Sequence, residues 1–142
     1  MKITIDSKAI NFGDRRFTFN LYFLEDGSEF LAPSSGATFK NIVIRWAEVL
    51  RTINSENSPM FLPYDADDQW TDALKATLVA GRIELRWVRL AEGGWGVFDY
   101  DLAGFIASAH KVTEESDELL GEFNKDQIVS ALIHAEVIEE LF

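Results

Sequence analysis

The strongest constraint on this chain is a coincidence of register in residues 71–88. The stretch Thr71-Asp72-Ala73-Leu74-Lys75-Ala76-Thr77-Leu78-Val79-Ala80, followed by Gly81, reads in two ways. One is a capped helix with a glycine stop. The other is the first arm of a β-hairpin. A turn centred on Ala80-Gly81 sets Leu78 opposite Ile83, Ala76 opposite Leu85 and Leu74 opposite Trp87. All three apolar pairs then share one sheet face, and a slip of one residue would turn one arm's apolar set away. That agreement favours the hairpin. Lys75, Arg82 and Arg86 project from its other side as a basic strip, able to pair with acidic groups elsewhere in the monomer or across a dimer.

A second stretch behaves similarly. Phe17, Phe19, Leu21 and Phe23 alternate with Thr18, Asn20 and Tyr22 ahead of Asp26-Gly27, a type I′ turn dipeptide. A two-residue loop there sets Phe23 opposite Phe30 and Leu21 opposite Ala32. Ile3 with Ile5, and Ile10 with Phe12, predict one or two short strands before it. Residues 60–64 form a short apolar run, and Pro63, lacking an N–H, makes it an edge strand or extended segment. The turn at Glu92-Gly93-Gly94 returns the chain through a strand at 95–98, so the middle of the protein reads as an antiparallel meander.

Helices follow from three- and four-residue spacing. Phe39, Ile42, Val43, Trp46, Leu50 and Ile53 form an apolar stripe, with Thr38 as the expected cap and Lys40, Arg45, Glu48 and Arg51 on the other side. Asp101 is placed to cap a short helix burying Leu102, Phe105, Ile106 and Ala109, with His110 in its last turn. Residues 111–123 read as polar, with a helical turn around Leu119-Leu120. Asn124 with Gln127 resembles a capping box for a final helix through Ile128, Ala131, Leu132, Ala135, Ile138 and Leu141. The expected fold class is α+β. An antiparallel sheet of about five or six strands, an N-terminal hairpin plus the central meander, carries about three helices. The 142 residues are read as one domain, 1–142.

Composition then narrows function. With 13 basic and 24 acidic side chains the net charge is −11, which argues against nucleic acid as a partner, since phosphate neutralisation needs Lys and Arg. The charge is uneven. Residues 1–60 are balanced, seven against seven, whereas residues 92–142 carry two basic and twelve acidic groups. Cysteine is absent, which removes thiolate metal sites, disulfides and a cysteine nucleophile. No apolar window approaches a membrane span, and the N-terminal residues show no secretory pattern, so the expected location is cytoplasmic.

The motif search favours a non-enzyme. Asp65-Ala66-Asp67-Asp68-Gln69-Trp70 starts like a calcium loop but has Trp70 where Gly is needed and Ala76 where the closing Glu belongs. Asp99-Tyr100-Asp101 reads as helix capping. His134-Ala135-Glu136 matches half of a zinc deaminase signature whose other half requires cysteines. No metal ligand, cofactor site or catalytic residue is assigned. What remains is aromatic residues among carboxylates. Trp46 and Trp87 fit core periodicity; Trp70 sits among aspartates and Trp95 among glycines. The expected partner-binding residues are therefore Asp65, Asp67, Asp68, Trp70, Asp72, Glu114, Glu115, Asp117 and Glu118, matched to a basic protein partner.

In size and charge the chain resembles, in general style, the small acidic immunity proteins that block cationic bacterial toxins, although it carries no diagnostic motif of that class. The expected function is accordingly a small acidic protein-binding module, an immunity protein or inhibitor, with nucleic-acid mimicry as a special case. Two alternatives stand beside it. One is a small-molecule-binding protein or enzyme with a pocket on the sheet face. The other is a structural or regulatory subunit, a homodimer included.

Overall fold

In the computed structural model, residues 2–6, 9–19, 36–66, 69–91 and 102–138 are described. Two sheets, not one, organise them. The first has the order β3-β2-β1-β9, from β1 (Ile3–Asp6), β2 (Ala9–Phe12), β3 (Arg15–Thr18) and β9 (Glu136–Ile138). The second has the order β4-β5-β6-β7, from β4 (Met60–Ala66), β5 (Thr71–Val79), β6 (Arg82–Leu90) and β7 (Val112–Glu115), with β8 (Gly121–Asn124) also paired to β6. Pairing is antiparallel except between β1 and β9, which run parallel. Three helices among the described residues, α1 (Gly36–Leu50), α2 (Leu102–Ala107) and α3 (Lys125–Ile133), complete the α+β fold. One buried cluster takes in side chains from both sheets and all three helices. None of these helices is long and apolar enough to cross a membrane.

The β5–β6 hairpin has the register that the apolar pairs require. Leu78 faces Ile83, Ala76 faces Leu85 and Leu74 faces Trp87. Its turn places Ala80 and Gly81 at φ 51° and 78°, the left-handed pair of a type I′ connection. β4 is an edge of its sheet, as Pro63 dictates, and its pairing with β5 shifts register between Pro63 and Asp65, leaving Tyr64 as the extra residue. The α1 stripe is buried throughout, with Trp46 fully enclosed.

Three expectations are corrected. The helix α1 begins at Gly36, so Thr38 lies inside it. Residues 111–123 contain no helical turn at Leu119-Leu120 but two short strands, β7 and β8, on one edge of β6. Their side chains are mostly exposed, so an apolar pattern had nothing to mark; backbone pairing with β6 defines them. The final helix keeps its Asn124 cap, whose side chain accepts from the amides of Asp126 and Gln127, yet stops at Ile133. Residues 136–138 instead pair with β1, Ile5 beside Val137. Lys40 explains part of that stop. Its ammonium leaves the polar side of α1 and donates to the carbonyls of Leu132, Ile133 and Ala135, closing the end of α3. Burial lowers its pKa from the ordinary lysine value. The Asp26-Gly27 turn with its second arm and the end of its first (Asn20, Leu21, Tyr22 and Phe23), the strand at 95–98 with Trp95, Asp99, Asp101 and Leu141 lie outside the described residues.

Candidate functional site

The region with most chemistry lies where the open end of the β5–β6 hairpin meets β3 and the connection from β7 to β8. It is built from a transverse row of paired positions. Asp65 on β4 stands beside Asp72 on β5, Asp72 beside Arg89 on β6, and Arg89 beside Glu114 on β7. Directly paired residues project to the same side of a sheet, so three carboxylates and one guanidinium share one row across four strands. Arg89 answers Asp72 bidentately, Nε to Oδ1 at 2.8 Å and a terminal nitrogen to Oδ2 at 3.2 Å. Its guanidinium also lies 4.5 Å from the centre of the Trp70 ring and 5.6 Å from that of Trp87. Trp70, in the extended residue before β5, is thus half-buried against Arg89, and Asp72 is buried beneath it.

Tyr64, the residue displaced by the register shift, closes this cluster. Its ring meets Phe17 edge-on at 5.3 Å. Burial, and then the negative charge of Asp72, push its pKa well above the ordinary tyrosine value. The hydroxyl stays protonated.

Beside this closed cluster is an open groove of about 360 Å³, lined by Arg15, Phe17, Trp87, Ser116, Asp117, Glu118 and Leu120. Trp87 belongs to both. The acidic rim of the groove is fixed through the main chain. Ser116 uses both its amide and its hydroxyl on the backbone of Trp87, donating N–H to the carbonyl at 2.9 Å and accepting from the amide at 3.2 Å. The Leu120 amide donates to the Leu85 carbonyl at 2.7 Å. From the other side of the sheet the Arg86 guanidinium donates to the carbonyls of Ser116 and Asp117, at 3.3 and 2.6 Å. The connection between β7 and β8 is therefore tied down along its length, and the side chains of Asp117 and Glu118 stand on a fixed base.

The basic strip, Lys75, Arg82 and Arg86, is spent within the molecule on the acidic C-terminal third. Lys75 pairs with Glu115, Arg82 lies 3.7 Å from Glu122, and Arg86 takes the carbonyls just named. Glu118 meets Arg15 at 3.6 Å. Glu114 and Asp117 form no ion pair among the described residues. Of the nine residues expected to bind a partner, the structure brings Asp65, Trp70, Asp72 and Glu114 to one row and its stack, and Asp117 and Glu118 to the adjoining groove. Glu115 follows Glu114 on β7 and so projects to the opposite side of the sheet, where it meets Lys75. Asp67 and Asp68 lie outside the described residues. Arg89, Arg15 and Phe17 were missed. Arg89 was within reach, since carrying the hairpin register two residues past Leu74 and Trp87 sets Asp72 opposite it. Arg15 and Phe17 come from the other sheet, and no local pattern brings them there.

His110 and His134 serve helix ends. His110 follows α2, with Nε2 2.7 Å from the Phe105 carbonyl and its ring against Phe61 and Phe105; His134 caps α3. Among the described residues no group of three His, Asp or Glu side chains is placed to hold a metal ion. Comparison of the chain with protein-family models, with curated proteins and with solved structures finds no match.

Proposed function

We propose that the protein is a small acidic binding module that captures a basic protein partner, in the manner of an immunity protein or inhibitor. The observation that carries this reading is the groove beside Trp87. An aromatic wall and two carboxylates stand there on a main chain that is hydrogen-bonded on both sides. A half-buried aromatic on a fixed main chain is the kind of anchor that binding hot spots use, and here two exposed carboxylates stand beside it. A net charge of −11 adds long-range attraction for a cationic protein. The test is affinity capture from the native cell extract at low and high salt, with mass spectrometry of what is retained. A stoichiometric basic protein that is lost as salt rises is the expected result. Retention of only acidic or neutral proteins, or of none from an extract that expresses cationic candidates, overturns the reading.

The size of the groove favours a second reading, a small-molecule-binding protein. A metabolite panel scored by the rise in melting temperature separates the two, because a ligand held only by the folded state raises it.

A further inference from the structure

We infer that the groove beside Trp87 receives one arginine side chain of the basic partner, with the guanidinium laid against Trp87 and held by Asp117 and Glu118. This rests on the protein-binding reading above and names the group that such a partner must present.

Three observations lead to arginine. The molecule already contains the same recognition in finished form. Arg89 lies against Trp87 at 5.6 Å and against Trp70 at 4.5 Å, with the Asp72 carboxylate across its two nitrogens. The groove offers the same kinds of group: the Trp87 ring, a second aromatic in Phe17, and two carboxylates. Arg89 does not line it, so this part of the Trp87 ring is open to another cation. Second, a guanidinium is already at the rim. Arg15 reaches Glu118 at 3.6 Å, with the Arg15 side chain about half exposed and that of Glu118 largely in solvent, a contact worth little and easily exchanged for a better-placed one. Third, Asp117 has no ion pair among the described residues, while its backbone carbonyl is held by Arg86. The carboxylate is thus positioned without being neutralised. A planar guanidinium can stack on an indole and face a carboxylate at once; an ammonium offers only a point charge.

The test uses the full chain and three capped tripeptides, Gly-Arg-Gly, Gly-Lys-Gly and Gly-citrulline-Gly, read by NMR on the four tryptophan indole N–H signals. A saturable shift of the Trp87 signal with the arginine peptide, absent with the neutral citrulline peptide, is expected. The exposed pair of changes Asp117→Asn and Glu118→Gln should weaken that binding about fivefold. Arg15→Gln, which removes the resident cation, should tighten it about twofold, and Arg45→Gln, outside the groove, should leave it unchanged. No shift at Trp87, an equal response to citrulline, or unchanged affinity in the Asp117→Asn/Glu118→Gln protein overturns the inference. Equal binding of the lysine peptide overturns the choice of arginine. Capturing the basic partner with the same double variant separates the two levels. A partner held equally by wild type and variant removes the groove and leaves the binding function standing. No partner for either protein removes the function, and the peptide titration still decides the groove.

Discussion

Arg89 and Arg15 each meet a carboxylate beside the same tryptophan, under different conditions. The Arg89 and Asp72 side chains are 28% and 11% exposed, joined by two hydrogen bonds, and roofed by Trp70. The Arg15 and Glu118 side chains are 46% and 84% exposed and approach only to 3.6 Å. In the first case water has been replaced by aromatic rings and a second hydrogen bond, so removing one partner strands the other. In the second, solvent screens both charges whether or not they touch. The closed pair behaves as a part of the fold. The open pair sits where an incoming group meets the least resistance.

Breaking the closed pair should have the largest effect. Arg89→Ala leaves Asp72 buried with its main counter-charge gone, and chemical denaturation should show a loss of about 3 kcal/mol. The double change Arg89→Leu with Asp72→Leu should restore most of that, because no charge is then stranded. The next effect concerns Tyr64. Its folded pKa lies above the unfolded value of 10.0, so its contribution is complete below pH 10.0 and is lost as pH rises beyond it, where the unfolded chain ionises first. Stability of the wild type should therefore fall more steeply above pH 10.0 than that of Tyr64→Phe, measured by denaturant midpoints across the alkaline range. Arg86→Ala comes third. It frees the carbonyls of Ser116 and Asp117, costing about 1 kcal/mol, and should speed hydrogen exchange in residues 116–120 while sparing β5. The smallest effect is at the open pair, where Glu118→Gln should change stability by less than about 0.5 kcal/mol. A loss there as large as that of Arg89→Ala would erase the contrast between the two pairs.

The parts of this arrangement that were legible in the sequence are those where two local signals agree. At Ala80-Gly81 the turn and the apolar pairs specify the same register, and that register already contains Asp72 opposite Arg89. The α1 stripe and the Asn124 cap are also self-contained. What stayed hidden depends on partners remote in the chain. β7 and β8 present exposed side chains and exist as strands because the edge of β6 binds their backbone. Ile138 continues the helical spacing of Leu132 and Ala135, yet β1 offers residues 136–138 a sheet edge while Lys40 seals the helix behind them. The division into two sheets, and with it the meeting of Phe17 and Trp87 around one groove, follows from such long-range choices. The acidic character of residues 114–118 was plain, and so was the prospect that Lys75, Arg82 and Arg86 would pair with the acidic C-terminal third; which group each one takes was not.

The parallel pairing of β1 with β9 sets the order in which a ribosome can deliver this fold. β1, β2 and β3 emerge early and can form their antiparallel ribbon, but the outer edge of β1 stays open until residues 136–138 leave the exit tunnel. Just ahead of that strand, Lys40 holds the final carbonyls of α3. A nascent or prematurely terminated chain lacking β9 therefore presents a bare strand edge to its neighbours, a template for unwanted association. The step that completes the first sheet covers β1 and leaves a strand of only three residues, β9, as the edge in its place, a far shorter template.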